Sequence, residues 1–333
     1  MNKTRTINLK NRPKGTPVLA DFDLTTSEIP ELKEGDVLLS AKYVSVDPYL
    51  RGRMSDAKSY VEPFELNKPI VSGVIAEVLE SKHSSLIKGD QVSGMLQWKE
   101  IQLAKADGLI KVDPEKAPLS AYLGILGMTG LTAYLGLTEI GKPKKGETLL
   151  VSGAAGAVGS IVGQIGKILG LRVVGIAGTD EKVEMLTSEF NFDEAINYNT
   201  TKNMNEAIAK ACPTGVDVYF DNVGGEISEA VFFNINKFSR TVNCGAISVY
   251  NNKELPKSNS VQTFLIKKSS SMQGFVIFDY VDKHPQGIKQ LAEWLQEGKL
   301  KYTETIKEGF ENIPQAFLDL FEGKNKGKMI VKL

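Results

Sequence analysis

The period of apolar and polar positions changes twice along the chain. Up to about Pro118, short alternating runs are separated by turn residues. VLLSAKYVSV follows Gly35-Asp36, IVSGVIAEVLES follows Pro69, and QVSGM follows Lys88-Gly89-Asp90. Strands spaced in this way predict a small β-rich barrel or sandwich. Residues 119–126 and 128–140 then read as helices, the second closed by Gly141 with Pro143 just beyond. From Thr148 the apolar runs become continuous and β-branched, as in parallel strands buried on both faces. Strands are expected at 148–152, 172–177, 194–198, 216–225 (running into a turn), 239–245 and 270–277. Helices are expected after the first of these, at 180–190 and 203–212, from about 226, and as a last long helix at 284–297. This alternation predicts an α/β fold with a doubly wound parallel sheet and a ligand at the carboxyl ends of its strands. The tail after residue 299 changes character again and is expected to rejoin the first domain. The domains are therefore expected at 1–122 with 299–333, and at 123–298.

The most informative stretch is ETLLVSGAAGAVGSIVGQIGKILG, residues 147–170. A buried strand breaks into Gly153-Ala154-Ala155-Gly156-Ala157-Val158-Gly159 and opens directly into a helix with Ile161, Ile165, Ile168 and Leu169 on one face. Such a junction presents backbone N–H groups and the positive end of a helix dipole to a pyrophosphate. Gly156 lets the backbone approach the phosphates, and Gly159 lets helix and strand pack closely. Ala154 stands where G-x-G-x-x-G has its first glycine, so the turn alone also fits a simple junction between two core elements.

Composition narrows the field. Forty basic residues balance forty acidic ones, which gives no electrostatic footprint for nucleic acid or a membrane surface. No apolar run is long enough to span a bilayer, and the N-terminus lacks a signal-peptide core, so a cytoplasmic location is the expectation. Two cysteines, Cys212 and Cys244, make no disulfide framework, and two histidines, His83 and His284, leave little for a zinc site.

The end of the second strand of the alternating region bears on the cofactor. There an acidic residue would hold both ribose hydroxyls of NAD. The sequence reads Ile176-Ala177-Gly178-Thr179-Asp180-Glu181-Lys182. Ala177 is apolar, Gly178 leaves space, Thr179 offers a hydrogen bond, and Lys182 lies one turn into the next helix. A 2′-phosphate would be repelled by a carboxylate and attracted by a lysine, so NADP(H) is the expected cofactor. Asp180 and Glu181 are the two carboxylates that could fold back toward the ribose.

Several stretches together resemble the medium-chain dehydrogenase/reductase superfamily. Within it, the closest likeness is to the zinc-independent group of prostaglandin reductases, leukotriene B4 dehydrogenases and alkenal double-bond reductases. They are VSVDPYLRGRM (44–54), LGILGMTGLTAYLGL (123–137), VSGAAGAVGS (151–160), YFDNVGGE (219–226), NCGAISVYN (243–251), EGFENIPQAF (308–317) and GKNKGK (323–328). The resemblance implies a GroES-like catalytic domain built from both ends of the chain around a Rossmann domain, with no metal. It implies cofactor contacts at Gly156, Ala157, Val158, Gly159, Ser160, Gly178, Thr179, Lys182, Tyr198 and Asn222. Further contacts are implied at Cys244, Gly245, Tyr250, Phe275, Val276, Asn325, Met128 and Thr129. It also implies a homodimer. Ile101, after Trp98-Lys99-Glu100, replaces an aromatic residue common in relatives.

Without a metal, a conjugated enal or enone is an easier hydride acceptor than a plain carbonyl. NADPH would give hydride to the β-carbon, charge would develop on the carbonyl oxygen, and a neutral donor aimed at that oxygen would stabilise it. Tyr250 is the first candidate donor, and Tyr49 matches a substrate-pocket position of plant relatives; Arg51 and Arg53 could attract a substrate carboxylate. Leu66 to Pro69 and residues 251–263 are candidate pocket walls. The expected activity is that of a 2-alkenal or 15-oxoprostaglandin 13-reductase type of enzyme with a small-molecule substrate. A quinone oxidoreductase and a non-catalytic NADPH-binding protein are the alternatives.

Overall fold

The computed structural model describes residues 3–254 and 256–333. Met1 and Asn2, in the first expected domain, and Leu255, in the expected wall loop, lie outside the described residues. The described chain divides into two compact units. One contains residues up to Gly124 together with Glu304–Asn325 and Met329–Leu333; the other contains Ile125–Thr303 and Lys326–Lys328.

The first unit opens with β1 (Lys3–Leu9) and β2 (Phe22–Glu28), an antiparallel pair. Next come β3 (Asp36–Ser45), the one-turn helix α1 (Leu50–Arg53), β4 (Val71–Ser81), β5 (Gln91–Gln97), β6 (Ile101–Lys105) and β7 (Ile110–Val112). The second unit contains α2 (Met128–Leu135), β8 (Thr148–Ser152), α3 (Gly159–Ile168), β9 (Arg172–Ala177), α4 (Asp180–Ser188) and β10 (Glu194–Asn197). It continues through α5 (Met204–Ala211), β11 (Val216–Asp221), α6 (Gly225–Phe232), β12 (Ile235–Asn243), α7 (Val261–Lys268), β13 (Ser271–Gly274) and α8 (His284–Gln296). The chain then returns to the first unit as β14 (Glu304–Glu308), α9 (Ile313–Phe321) and β15 (Lys328–Lys332).

The first unit's main sheet has the order β14-β15-β3-β4-β5-β7, with β6 also on β3. Its core gathers round Trp98, which is fully buried and faces Phe22 at 6.3 Å between ring centres. A buried indole N–H needs an acceptor. Trp98 Nε1 donates to Ser72 Oγ (2.8 Å), and that hydroxyl donates to the Ser45 carbonyl (2.7 Å).

The second unit's sheet is parallel throughout, in the order β10-β9-β8-β11-β12-β13. All five residues of β8 are buried. Alternation along the strands divides them between two layers. Leu150 and Val174 join the cluster formed with α5 and α6 residues such as Ile208 and Val231. Leu149 and Val173 instead face α3, where a Cβ added at Gly166 would lie 2.6 and 3.0 Å from them. Gly163 is tighter still, because an added Cβ would meet the Phe192 ring at 1.9 Å. Gly166 lets α3 lie close against the sheet, and Gly163 makes room for the Phe192 ring.

Some elements depart from the pattern-based reading. Residues 119–126 form only a 3-10 turn at Leu119–Leu123, and the helix from Met128 widens into a π-helical turn at Gly136–Gly141. Gly136 admits the Phe220 and Phe275 rings there, since an added Cβ would sit 2.9 and 2.6 Å from them. Sheet pairing at 270–277 ends at Gly274. Helices α7 and α9 were not anticipated: α7 buries no residue fully, and α9 carries Pro314 in its first turn.

Gly163→Ala should lower stability by about 1–3 kcal/mol through overpacking against Phe192. Gly52→Ala, where an added Cβ meets nothing within 4 Å, should leave thermal unfolding nearly unchanged. Equal melting temperatures for the two variants would show that the Phe192 ring can move aside without cost.

Candidate active site

Strand order reverses at β8, with β9 and β10 on one side and β11 to β13 on the other. At such a switch point the connections leave the carboxyl ends of β8 and β11 in opposite directions and open a crevice. After Ser152 the chain turns through Gly153 at φ 58° and closes with a Gly156 N–H to Gly153 carbonyl bond of 3.0 Å. A Cβ on Gly159 would lie 2.4 Å from the Gly153 oxygen, so the turn and the first residue of α3 touch through backbone alone. Ala157 and Val158 are half-buried in the turn, and Ser160 is buried in the first turn of α3.

Across the crevice, Asn222 follows β11. Its Nδ2 donates to the Ser152 carbonyl (2.8 Å) and its own N–H to Ser152 Oγ (3.0 Å). Ser152 Oγ in turn donates to buried Asp221 (2.8 Å). Asp221 was missed by sequence reasoning; its one signal was an acidic residue at the end of a mostly apolar strand. The chain leaving β12 is anchored by the Cys244 and Gly245 N–H groups on the Asp221 carbonyl (2.9 and 3.1 Å). Burial, and then the Asp221 charge, push the Cys244 thiol up to about 12, so it is not a nucleophile at neutral pH. Tyr250 curls back over this turn, its hydroxyl oxygen accepting from the Ala246 N–H (3.1 Å).

At the end of β9, Ala177 is buried and carries no charge. The space beside Gly178 is occupied by the Tyr198 phenol, which an added Cβ would meet at 2.8 Å. Thr179 caps α4 by accepting from the Lys182 N–H (3.2 Å). Both nearby carboxylates are engaged by protein groups. Asp180 accepts from Asn197 Nδ2 (2.7 Å), and Glu181 is paired with Lys326. Burial, and then the like charge of Lys326, lower the pKa of Lys182, with Glu181 opposing. Lys326 is a second residue that sequence reasoning passed over. These groups fit NADP: a glycine turn opening into a helix, no acid at Ala177, and two lysines, Lys182 and Lys326, about the first turn of α4.

Elsewhere in this unit, Thr129 is buried at the start of α2, and Met128 packs with Leu131 and Ile277. Phe275 and Val276 follow β13 and are half-buried, Phe275 meeting Tyr280 edge-on at 6.4 Å. His284 faces the Ile277 carbonyl at 3.1 Å.

In the first unit, the turn after β3 is held by Ser45 Oγ donating to Asp47 (2.5 Å). Tyr49 follows, packed against the core. Its hydroxyl is buried without a hydrogen-bond partner among the described residues. Burial and then the Asp47 charge hold that phenol well above its ordinary pKa, and therefore neutral. Arg51 donates to the Pro13 and Gly15 carbonyls (3.3 and 3.0 Å), and Arg53 lies over the Phe64 ring at 4.0 Å. Both arginines are thus engaged in holding loops. Glu100 is gripped by Arg5 at 2.7 and 2.9 Å, so Trp98-Lys99-Glu100 is structural at two of its three positions. Leu66 is exposed, Asn67 is tied to the Leu9 carbonyl (2.7 Å), and residues 251–263 run into α7. Asn325 ends the segment that starts at Glu304.

Residues 5–112 match a family described as the N-terminal domain of oxidoreductase, and residues 157–297 match one described as zinc-binding dehydrogenase. The chain is 59% identical to YfmJ of Bacillus subtilis (strain 168), over 98% of this chain and 97% of that protein. It is 41% identical to the NADPH-dependent curcumin reductase of Escherichia coli (strain K12), over 98% and 95%. To prostaglandin reductase 1 of Bos taurus it is 45% identical, over 97% of each. The crystal structure of CurA in complex with NADPH from Vibrio vulnificus superposes with a TM-score of 0.95, at 43% identity and 98% coverage of both chains. The chain belongs to the medium-chain dehydrogenase/reductase family, in its prostaglandin reductase group.

Among the described residues of this medium-chain reductase, no three His, Cys, Asp or Glu side chains gather as a metal site, and no helix is long and apolar enough to cross a membrane. Its parallel sheet and β-rich first unit are those of the family's α/β architecture.

A buried hydroxyl without a partner costs stability that a phenyl ring would not. Tyr49→Phe should therefore leave the melting temperature of the ligand-free reductase unchanged or raise it by a few degrees. A clear fall would mean that the hydroxyl is hydrogen-bonded in solution.

Proposed function

We propose that this protein is an NADPH-dependent reductase of the C=C bond of α,β-unsaturated aldehydes and ketones. The observation that carries the reading is the switch-point crevice, whose β9 end offers buried Ala177 and then Lys182 where an NAD-binding strand ends in an acid. When bound, the cofactor supplies hydride for the β-carbon of the substrate. In this reading residues 123–298 bind it through the glycine turn, Lys182, Tyr198, Asn222, residues 244–250, Phe275, Val276, Met128 and Thr129, with Asn325 added from the tail. Residues 1–122 and 299–333 form the catalytic domain.

The chain's own chemistry is to receive the charge that develops on the substrate oxygen. A neutral hydroxyl serves this purpose, since it donates a hydrogen bond and brings no charge that must be desolvated. Tyr250 accepts from a main-chain N–H and keeps its O–H proton as a donor. Tyr49 is a buried neutral phenol whose hydroxyl bonds no described residue. Tyr250 is the proposed oxygen donor, and Tyr49 is proposed as a substrate-binding group of the first unit.

Purified protein should oxidise NADPH in the presence of a trans-2-alkenal, release the saturated aldehyde, and turn over more slowly with NADH. Tyr250→Phe should cut that turnover by about 10²-fold and weaken NADPH binding far less. An allylic alcohol as product, or turnover with quinones alone, would overturn the assignment; full activity in Tyr250→Phe would remove that residue from its role.

A homodimer in the cytoplasm is proposed with it. β13 ends the parallel sheet as an edge whose four residues are all exposed, the kind of edge that native proteins cover. Both cysteines are free thiols, in keeping with a reducing compartment. Light scattering should give a mass near twice 36.4 kDa; a mass near the single value would exclude the dimer.

A further inference from the structure

The segment that closes the second unit is pinned by a glycine that no other residue can replace without rebuilding. Gly327 sits at φ +60°, and an added Cβ would lie 1.8 Å from the Thr303 carbonyl oxygen. Its N–H donates to the Ala155 carbonyl (2.8 Å), and it forms a parallel bridge with Gly156, in the middle of the glycine turn. Residue 326 is thereby fixed beside the cofactor turn although it is 170 positions later in the sequence. From there the Lys326 side chain reaches Glu181, in the first turn of α4, and its charge acts on Lys182, the next residue.

We propose that Lys326 is a second cation of the 2′-phosphate subsite and that Glu181 is its exchangeable counter-ion, a step that rests on the NADPH reading above. Two ammonium groups held near one another require an anion, and in this structure Glu181 supplies one negative charge. A 2′-phosphate carries close to two and has three acceptor oxygens, so it balances both lysines. Glu181 is mostly exposed, 69% for its side chain, and an ion pair as open as this is weak. The carboxylate can therefore yield Lys326 and turn to water at little cost. The ribose of NADH ends in a neutral hydroxyl there, which cannot displace a carboxylate from an ammonium. Asp180 is turned to Asn197 instead. Discrimination between the two nicotinamide cofactors then comes from a swap of anions as well as from the attraction of Lys182.

Isothermal titration of the full-length protein with NADPH, NADH and adenosine 2′,5′-bisphosphate tests this without reference to turnover. Lys326→Gln should weaken NADPH and the bisphosphate by roughly tenfold and leave NADH within about twofold, whereas Lys326→Arg should retain most of the affinity. Glu181→Gln should tighten NADPH binding by a few-fold and leave NADH unchanged. Lys326→Gln with wild-type NADPH affinity, or with equal losses for both cofactors, would overturn the role of Lys326. Weaker or unaltered NADPH binding in Glu181→Gln would overturn the exchange. Lys182→Ala separates the two levels. If it loses NADPH selectively while Lys326→Gln is silent, the cofactor reading stands and this inference fails. If the wild-type protein shows no preference for NADPH, both fail together.

Discussion

The candidate site depends on one buried carboxylate. Asp221 is 4% exposed, and a charge so placed is tolerable only when donors replace the water it has lost. Five do so. Ser152 Oγ donates at 2.8 Å, Tyr219 OH and the Val223 and Gly224 N–H groups at 2.9 Å, and Ser228 Oγ at 2.5 Å. These donors come from β8, β11, the turn after β11 and α6. The carbonyl of the same residue holds the chain as it leaves β12. One side chain therefore sets where the two walls of the crevice begin. A partly satisfied network of this kind would be worse than an apolar core, so the five donors and the carboxylate stand or fall together.

The two tyrosines illustrate two ways of orienting a phenol. Tyr250 is directed by a main-chain bond inside its own turn, and its position follows from the backbone of 244–250. Tyr49 is held by packing and by the strand-end turn that Ser45 and Asp47 stiffen, with its hydroxyl left over. A hydroxyl buried at a cost and not paired by the fold is the sort of group that a fold retains for something it binds. Arg51 and Arg53, which look more obviously functional in the sequence, are occupied by carbonyls and an aromatic face.

Local physics made much of the second unit legible. β8 is bounded as its β-branched run predicts, and α4 and α5 start where Thr179 and Asn203 can cap them. The glycine turn was readable because a strand, close backbone contact and a helix occur there within a dozen residues. The helix at 313–321 was hidden because seven of its nine residues are buried, which leaves little polar face to mark the helical period, and α7 because none of its residues is fully buried. Non-local electrostatics were the least visible. Nothing near Lys326 in the sequence says that it meets Glu181, since the meeting depends on Gly327 folding back onto Gly156. Asp221 likewise looks like the polar end of a strand until its donors arrive from four elements.

The return of the chain to its first unit has a consequence for synthesis. β15 lies between β14 and β3, with Ile330, Val331 and Lys332 paired to Ser45, Val44 and Tyr43. On a ribosome the six parallel strands of the second unit emerge, and can assemble, before the first unit's sheet can be completed. The unit that is translated first is thus the last to close, and until then β3 offers an open edge of main-chain groups at residues 43–45. A nascent chain of this fold presents a strand acceptor throughout the time needed to make some two hundred and eighty further residues, a window in which a chaperone or a neighbouring chain could occupy the place of β15.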